Sequence, residues 1–369
     1  MRPPRASLPS LVNAALLVVL GGFLLIVGKP VLLPILAAVI AVYILTSASE
    51  ALGRLPMLGR LPLGLRRLLV LLAFAAAILA LSGVVVSTIG QVLSRSTLYQ
   101  INIERLVAQG AEMLNVDERP DWATIRDATI GRFSVRRIVE AALLNVTGVG
   151  ASVFLVVVYS AFLLAERADF AAKLSAALRD PGDAARTAAV IQDINTRIGD
   201  YLAVKTLVNA VLATISFAIL AAMGVDFPLF WALAIGLLNY IPYIGSLVGV
   251  ALPVALSIVQ FGDLGRTLVL AILLIAAQVG VGSVLEPRLI GRRVNLSPFV
   301  VLVSLAVWSA LWGLPGALLA VPLTSMLAIV LSAFEATRPF AVLMADRIAQ
   351  EGGHARAGRG LRRAPAPPP

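Results

Sequence analysis

The chain has 369 residues, 59% hydrophobic and 14% charged, with a mean hydropathy of +0.94 and a formal net charge of +10. Long apolar runs recur along it, which excludes an ordinary soluble protein and reads as an all-α polytopic membrane protein. Cysteine is absent and the single histidine, His354, lies in a polar tail, so disulfides, thiolate chemistry, histidine metal clusters and Ser-His-Asp triads are all excluded.

Residues 1–10 form a polar leader carrying Arg2 and Arg5. Residues 11–28 are long enough to span and no small-residue cleavage site follows, so no cleaved signal peptide is expected. The runs 11–28 and 31–47 meet so closely at Lys29-Pro30 that an antiparallel hairpin is expected. The next loop, 48–67, carries Arg54, Arg60, Arg66 and Arg67 against Glu50. A third span covers about 68–93, with Ser82-Gly83 as a close-packing site. Residues 1–93 are thus expected to form the N-terminal membrane helices.

Residues 94–147 change character, with seven basic and seven acidic side chains and no spanning run. Ile103, Leu106, Val107, Met113 and Leu114 keep helical spacing, which predicts a small helical extracytoplasmic domain. Its acidic residues show no paired-carboxylate or His–acid spacing, so they read as a solvated surface. A fourth span is expected over 148–165. In 166–203, Phe170, Leu174 and Leu178, then Val190, Ile194, Ile198 and Leu202, repeat every four residues. Two cytoplasmic amphipathic helices split at Asp180-Pro181-Gly182 are predicted.

Residues 204–334 read as the core. A fifth span, 204–223, precedes the stretch 229–260, which is apolar but interrupted at Asn239-Tyr240-Ile241-Pro242-Tyr243-Ile244-Gly245. As one helix that stretch would be ~48 Å long, against roughly 30 Å of hydrocarbon. Pro242 lacks an N–H and Gly245 permits a sharp change of direction, which places a break near mid-membrane. Backbone freed at that depth survives only inside protein or against a wet cavity, so a substrate site is expected there. Residues 267–285 span again, 286–293 form a basic loop, and the pair 298–312 and 314–334 breaks at Gly313-Leu314-Pro315-Gly316. The Arg/Pro-rich tail, 335–369, is expected to be disordered.

Charge supplies a topology. The leader carries +2, residues 48–67 +3, residues 286–297 +2 and the tail +3, the whole formal charge of +10, while 94–147 and 166–205 sum to zero. This distribution fits membrane orientation rather than nucleic-acid binding. With both termini cytoplasmic and 94–147 outside, the basic loop falls inside only if 229–260 is a hairpin; one broken crossing would put Arg288, Arg292 and Arg293 outside. The expectation is about six full spans plus two re-entrant helical hairpins of opposite orientation, the pattern of an inverted repeat around a midplane site. Pro253 in GVALPVAL and Pro322 in LLAVPLTS echo one another after the two breaks.

The run GLLNYIPYIGSLVGV, then EPRLIGRRVNLSP, then WGLPGALLAVPL resembles the autoinducer-2 exporter family of permeases, as does GDYLAVK at 199–205. The likeness is ordered, covers most of the chain and is most specific over 201–322; Ser246 stands where many members carry proline. It implies a homo-oligomeric inner-membrane permease exporting small solutes. The founding substrate is a quorum-sensing furanone, and relatives are linked to sodium/proton exchange.

Candidate site residues follow from the breaks. Asn239, Tyr240 and Tyr243 put polar groups at the first tip, beside carbonyls freed by Pro242 and the turn at Gly245; they bind a ligand, satisfy the broken backbone, or pack at an oligomer interface. Gly313, Pro315 and Gly316 shape the second tip and offer backbone groups. Gln278 and Ser283 lie in an apolar helix, facing the site or bonding between helices. Asp200 and Lys205 straddle the start of the fifth span, where a lysine snorkels. Glu286, beside Pro287 and close to Arg288, reads as an ion-paired anchor at a span end. No Asp, Glu, Lys, Arg or His falls at the centre of any span, which suits a small, polar, mostly uncharged organic solute. A cation/proton antiporter is the alternative. A membrane scaffold would not need two broken hairpins, and an intramembrane enzyme would need a nucleophile or metal constellation that is not apparent. No cofactor, metal or nucleic-acid partner is expected.

Overall fold

The computed structural model describes residues 8–113, 150, 152–166, 173, 177, 180–290 and 295–346. The described residues are almost wholly helical. The helices are α1 (Leu8–Val27), α2 (Lys29–Gly53), α3 (Leu63–Met113), α4 (Ser152–Glu166), α5 (Pro181–Ala222), α6 (Pro228–Leu238), α7 (Ile244–Phe261), α8 (Leu264–Val279), α9 (Glu286–Ile290), α10 (Pro298–Trp312), α11 (Leu314–Ala333) and α12 (Arg338–Met344). Six of the helical stretches are long and apolar enough to cross a membrane. Most of the polar stretch 94–147, the first of the two amphipathic helices and the tail beyond Asp346 lie outside the described residues; 94–113 continue α3 without a break.

The molecule is arranged around α5. The side chain of Asp180 accepts the Gly182 N–H at 2.7 Å and Pro181 occupies the first turn, which together start the helix. No proline interrupts the following 42 residues, so the expected amphipathic helix and fifth span are one continuous rod of about 63 Å at 1.5 Å per residue. The Val190-to-Leu202 stripe supports this: Ile198 and Leu202 are buried against Ile40 of α2 and Val321 of α11. Further along, Val208, Leu212 and Leu220 pack against Ala232 and Ile235 of α6 and Leu270 and Leu274 of α8. The rod stops at Gly224, whose φ of +70° suits glycine, with the Val225 N–H returning to the Leu220 carbonyl at 2.9 Å.

Both interrupted stretches fold as helical hairpins. The feet of the first, α6–α7, meet at the C-terminal end of α5. There the Gln260 side chain accepts the Asp226 N–H at 2.8 Å and donates to the Gly224 carbonyl at 2.8 Å. The feet of the second, α10–α11, meet at the other end, where the Arg186 guanidinium donates to the Ala333 carbonyl and lies 5.3 Å from the Phe334 ring. The hairpins therefore run toward each other along α5. Their tips meet midway, with Ile241 buried among Leu305, Ala317 and Ala320.

One expectation fails at the N-terminus. The α1–α2 junction is not a tight reversal: Gly28 is right-handed helical (φ −75°, ψ −3°), its N–H donates to the Leu24 carbonyl and its carbonyl accepts from Leu32, both at 2.8 Å. Proline in the first turn of α2 loses no needed hydrogen bond, so Pro30 bends the path without reversing it. The exposed side chains of α1, Val12 to Val27, agree with this, since a hairpin partner would cover one face.

Candidate functional site

The first tip is a strained turn. The Tyr240 N–H returns to the Leu237 carbonyl at 3.2 Å and the Ile241 N–H to Leu238 at 2.8 Å, tightening the end of α6. Pro242 then lacks an N–H, and Tyr243 adopts φ +63°, ψ −53° with the Ile244 N–H on the Pro242 carbonyl at 2.7 Å. This γ-turn with positive φ is a rare conformation for a residue bearing a Cβ. Gly245 is required for another reason. A Cβ there would lie 1.8 Å from the Leu238 carbonyl oxygen, so only glycine lets the two arms close. The second tip repeats the device: Gly313 has φ +69°, and a Cβ on Gly316 would lie 2.0 Å from the Trp308 carbonyl oxygen.

This geometry turns Asn239 inward. Its Nδ2 donates to Asn209 Oδ1 of α5 at 2.8 Å, and its Oδ1 accepts from Gln278 Nε2 of α8 at 2.8 Å. Tyr240 and Thr206 share a 2.6 Å hydrogen bond between their hydroxyls. Asn209 Nδ2 is buried against the Tyr240 side chain, close to hydrogen-bonding range but without the geometry of a full hydrogen bond. Two helices and a broken tip thus assemble five neutral polar side chains in an apolar bundle, with the Asn209 amide NH2 not fully satisfied. Such a group is costly unless something accepts its proton.

A charged pair lies nearby. Lys205 Nζ is 2.5 Å from Glu286 Oε1, and the lysine side chain is only 6% exposed. The snorkelling expected of Lys205 is therefore wrong: continuity of α5 places it inside the bundle. Glu286 is ion-paired as expected, with Lys205 as its partner. Between Gln278 and Glu286 the helix widens into a π turn, Gly280–Leu285, with the Glu286 N–H reaching the Val281 carbonyl. Pro287 gives the cause, since in an α-helix its ring would strike the Ser283 carbonyl; π turns recur at functional sites.

The structure thus brings Asn239, Tyr240 and Gln278 together and sets Lys205 and Glu286 beside them. Pro242, Gly245, Gly313 and Gly316 shape the two turns, and Pro315 lies exposed in the first turn of α11. Tyr243 is 59% exposed, and Ser283 also lies on the outer face, so neither joins the cluster. Asp200 is exposed on α5 and lines a separate cavity. Sequence reasoning missed Thr206 and Asn209. Their signal was present: two polar residues three apart in an apolar span share one helix face. Among the described residues no three His, Cys, Asp or Glu side chains gather as a metal site.

Spanning helices, broken hairpins and a buried polar centre define a multi-pass helical membrane protein. The chain belongs to the AI-2E transporter family, which it matches over residues 14–336. It is 32% identical over 225 residues to a "Putative transport protein" of Borreliella burgdorferi, a match covering 61% of this chain and 62% of that one. It is 29% identical over 279 residues to the "Putative transport protein YhhT" of Escherichia coli, covering 75% and 78%. It is also 36% identical over 195 residues to the "AI-2 transport protein TqsA" of Escherichia coli, covering 53% and 56%. The matches to the Borreliella protein and to a Haemophilus influenzae relative span 62% and 61% of those proteins' lengths.

Proposed function

We propose that this chain is an inner-membrane permease that exports a small, polar, mostly uncharged organic solute. The observation that carries this reading is the neutral polar cluster of Thr206, Asn209, Asn239, Tyr240 and Gln278, with its buried, incompletely hydrogen-bonded Asn209 amide. Uncharged amides and hydroxyls exchange hydrogen bonds with a neutral solute without the desolvation cost of an ion. The hairpins enter the bilayer from opposite faces, so the cluster lies near the midplane, where a secondary transporter holds its cargo. The end carrying Arg54, Arg60, Arg66 and Arg67 faces the cytoplasm, as does the C-terminal tail, while 94–147 are outside. Lipid covers the outer apolar faces, and the chain works as a homo-oligomer. The name of the AI-2 transport protein TqsA, a relative, makes AI-2 the first solute to test.

A second reading, cation/proton antiport, draws on the buried Lys205–Glu286 pair, a carboxylate able to exchange its lysine for another cation. The two are separated by measuring AI-2 export and sodium/proton exchange in inverted vesicles, with Asn239→Ala and Glu286→Gln compared. The permease reading expects AI-2 movement that Asn239→Ala suppresses. Exchange of sodium for protons that only Glu286→Gln abolishes, with no AI-2 movement, would replace it.

A further inference from the structure

We propose that a second solute-binding site lies in the cavity between α2, the start of α3, α4 and the N-terminal half of α5. It takes a neutral, hydroxyl-bearing solute of the small polar class proposed for the tip cluster, and so rests on the permease reading. The cavity is half-open and holds about 820 Å³, within the range of pockets that hold small organic ligands. Its wall presents Tyr43, Thr46, Glu50, Arg67, Asn195 and Asp200. Two carboxylates against one guanidinium disfavour a phosphorylated or carboxylated solute, while the amides of Gln192 and Asn195 offer donors to sugar-like oxygens and the Glu50 carboxylate accepts from their hydroxyls. The Tyr43 hydroxyl donates to Asn195 Oδ1 at 3.0 Å, and a Cβ on Gly199 would touch the Tyr43 ring at 3.6 Å, so α2 and α5 hold this wall in a fixed register.

A second feature connects the cavity to the tip cluster. At 100° per residue, Asn195, Gly199, Thr206 and Asn209 fall within an arc of about 80° on one face of α5. The first two line the cavity and the last two belong to the tip cluster. Between them on the same face stands Leu202, 2% exposed and packed with Ile40, Tyr201 and Val321. Two polar chambers therefore share one helix face, separated by an apolar layer about 10 Å deep along the axis. The cavity is a waiting site on the cytoplasmic side of that layer.

The absence of native cysteine allows a direct test. Thr196 is exposed and lines the cavity. The rate at which maleimide labels the full-length Thr196→Cys protein is measured with and without ribose, with Leu264→Cys at the far end of the molecule as a control. Ribose is expected to slow labelling at position 196 several-fold, leave position 264 unchanged, and be ineffective when replaced by ribose 5-phosphate. Ser47→Cys, also on the cavity wall, serves as the reporter where Thr196→Cys folds poorly. Equal rates with and without ribose overturn the proposal, and protection by the phosphorylated sugar alone overturns its ligand class. Protection without any solute transport would leave this site standing while the permease reading falls; ribose transport without protection would do the reverse.

Discussion

Asn239 gives one hydrogen bond to a buried partner, Asn209, and takes another from a half-buried one, Gln278, both on other helices. Asn239→Ala therefore orphans the Asn209 carbonyl oxygen and the Gln278 amide, at about 1–3 kcal/mol each where no water enters. The expected result is reduced transport per folded molecule with a modest loss of thermal stability in detergent. Retained transport with dissociation of the oligomer would instead make the tip a structural joint. Glycine substitutions at the second tip should differ in cause and size. Gly316→Ala forces a Cβ against the Trp308 carbonyl and must open the hairpin, whereas Gly313→Ala meets open space and bears only the strain of φ +69°, ψ −145°, a conformation almost confined to glycine, about 1–3 kcal/mol. Thermal unfolding of the two variants checks the order. Tyr243→Gly should act oppositely, relieving a strained φ of +63° worth about 1–3 kcal/mol and raising stability. If activity falls as stability rises, the strain serves the transport cycle.

At the scale of elements, α3 holds the first hairpin by its feet. Beyond its spanning part, Arg95 pairs with Asp226, the Tyr99 hydroxyl donates to Asp226 Oδ2 at 2.8 Å, and Asn102 donates to the Gln260 carbonyl at 2.8 Å. Burial, then the hydrogen bond to Asp226, pushes the Tyr99 phenol above its ordinary range, and Asp226 raises Arg95 in turn. A phenol whose folded pKa is raised contributes stability that is full below its unfolded value of about 10 and is lost as pH rises beyond it. The clasp is thus expected to hold across physiological pH and to loosen in alkali. Tyr99→Phe should remove that alkaline limb of a pH–stability curve; an unchanged curve would show that the clasp does not rest on this proton. The Lys205–Glu286 pair joins α5 to the π turn. Removing either partner leaves a charge in the bundle, at about 3–5 kcal/mol, and the Lys205→Met/Glu286→Gln double variant should recover much of that in thermal melts.

For the molecule as a whole, the opposed hairpins make a prediction about sidedness. In cysteine-scanning experiments, Leu264→Cys at the first hairpin's foot should label from outside, and Arg60→Cys from the cytoplasm. Labelling of both from one face would refute the antiparallel arrangement across the bilayer.

Composition alone determined that the chain is a helical membrane protein, because burying so much apolar surface in water-free surroundings leaves helices as the way to pair every backbone group locally. Local chemistry placed both breaks, since proline and glycine act on their own backbone whatever surrounds them: Pro242, Gly245, Gly313 and Gly316 all stand where the chain turns. The sequence also marked Asn239, Tyr240 and Gln278 as polar residues in apolar surroundings. What it could not convey was which of them meet. Gln278 and Ser283 look equivalent in one dimension, yet only Gln278 reaches Asn239, because the π turn and the packing of α8 on α5 decide which side faces inward. Lys205 read as a span boundary because a polar segment precedes it. Only the tertiary structure, running that segment into the span as one helix and setting Glu286 opposite, made it a buried ion pair. The same holds for Gly28, where local signals suggested a reversal and the continuing hydrogen bonds, with packing of α2 on α5, left a bend.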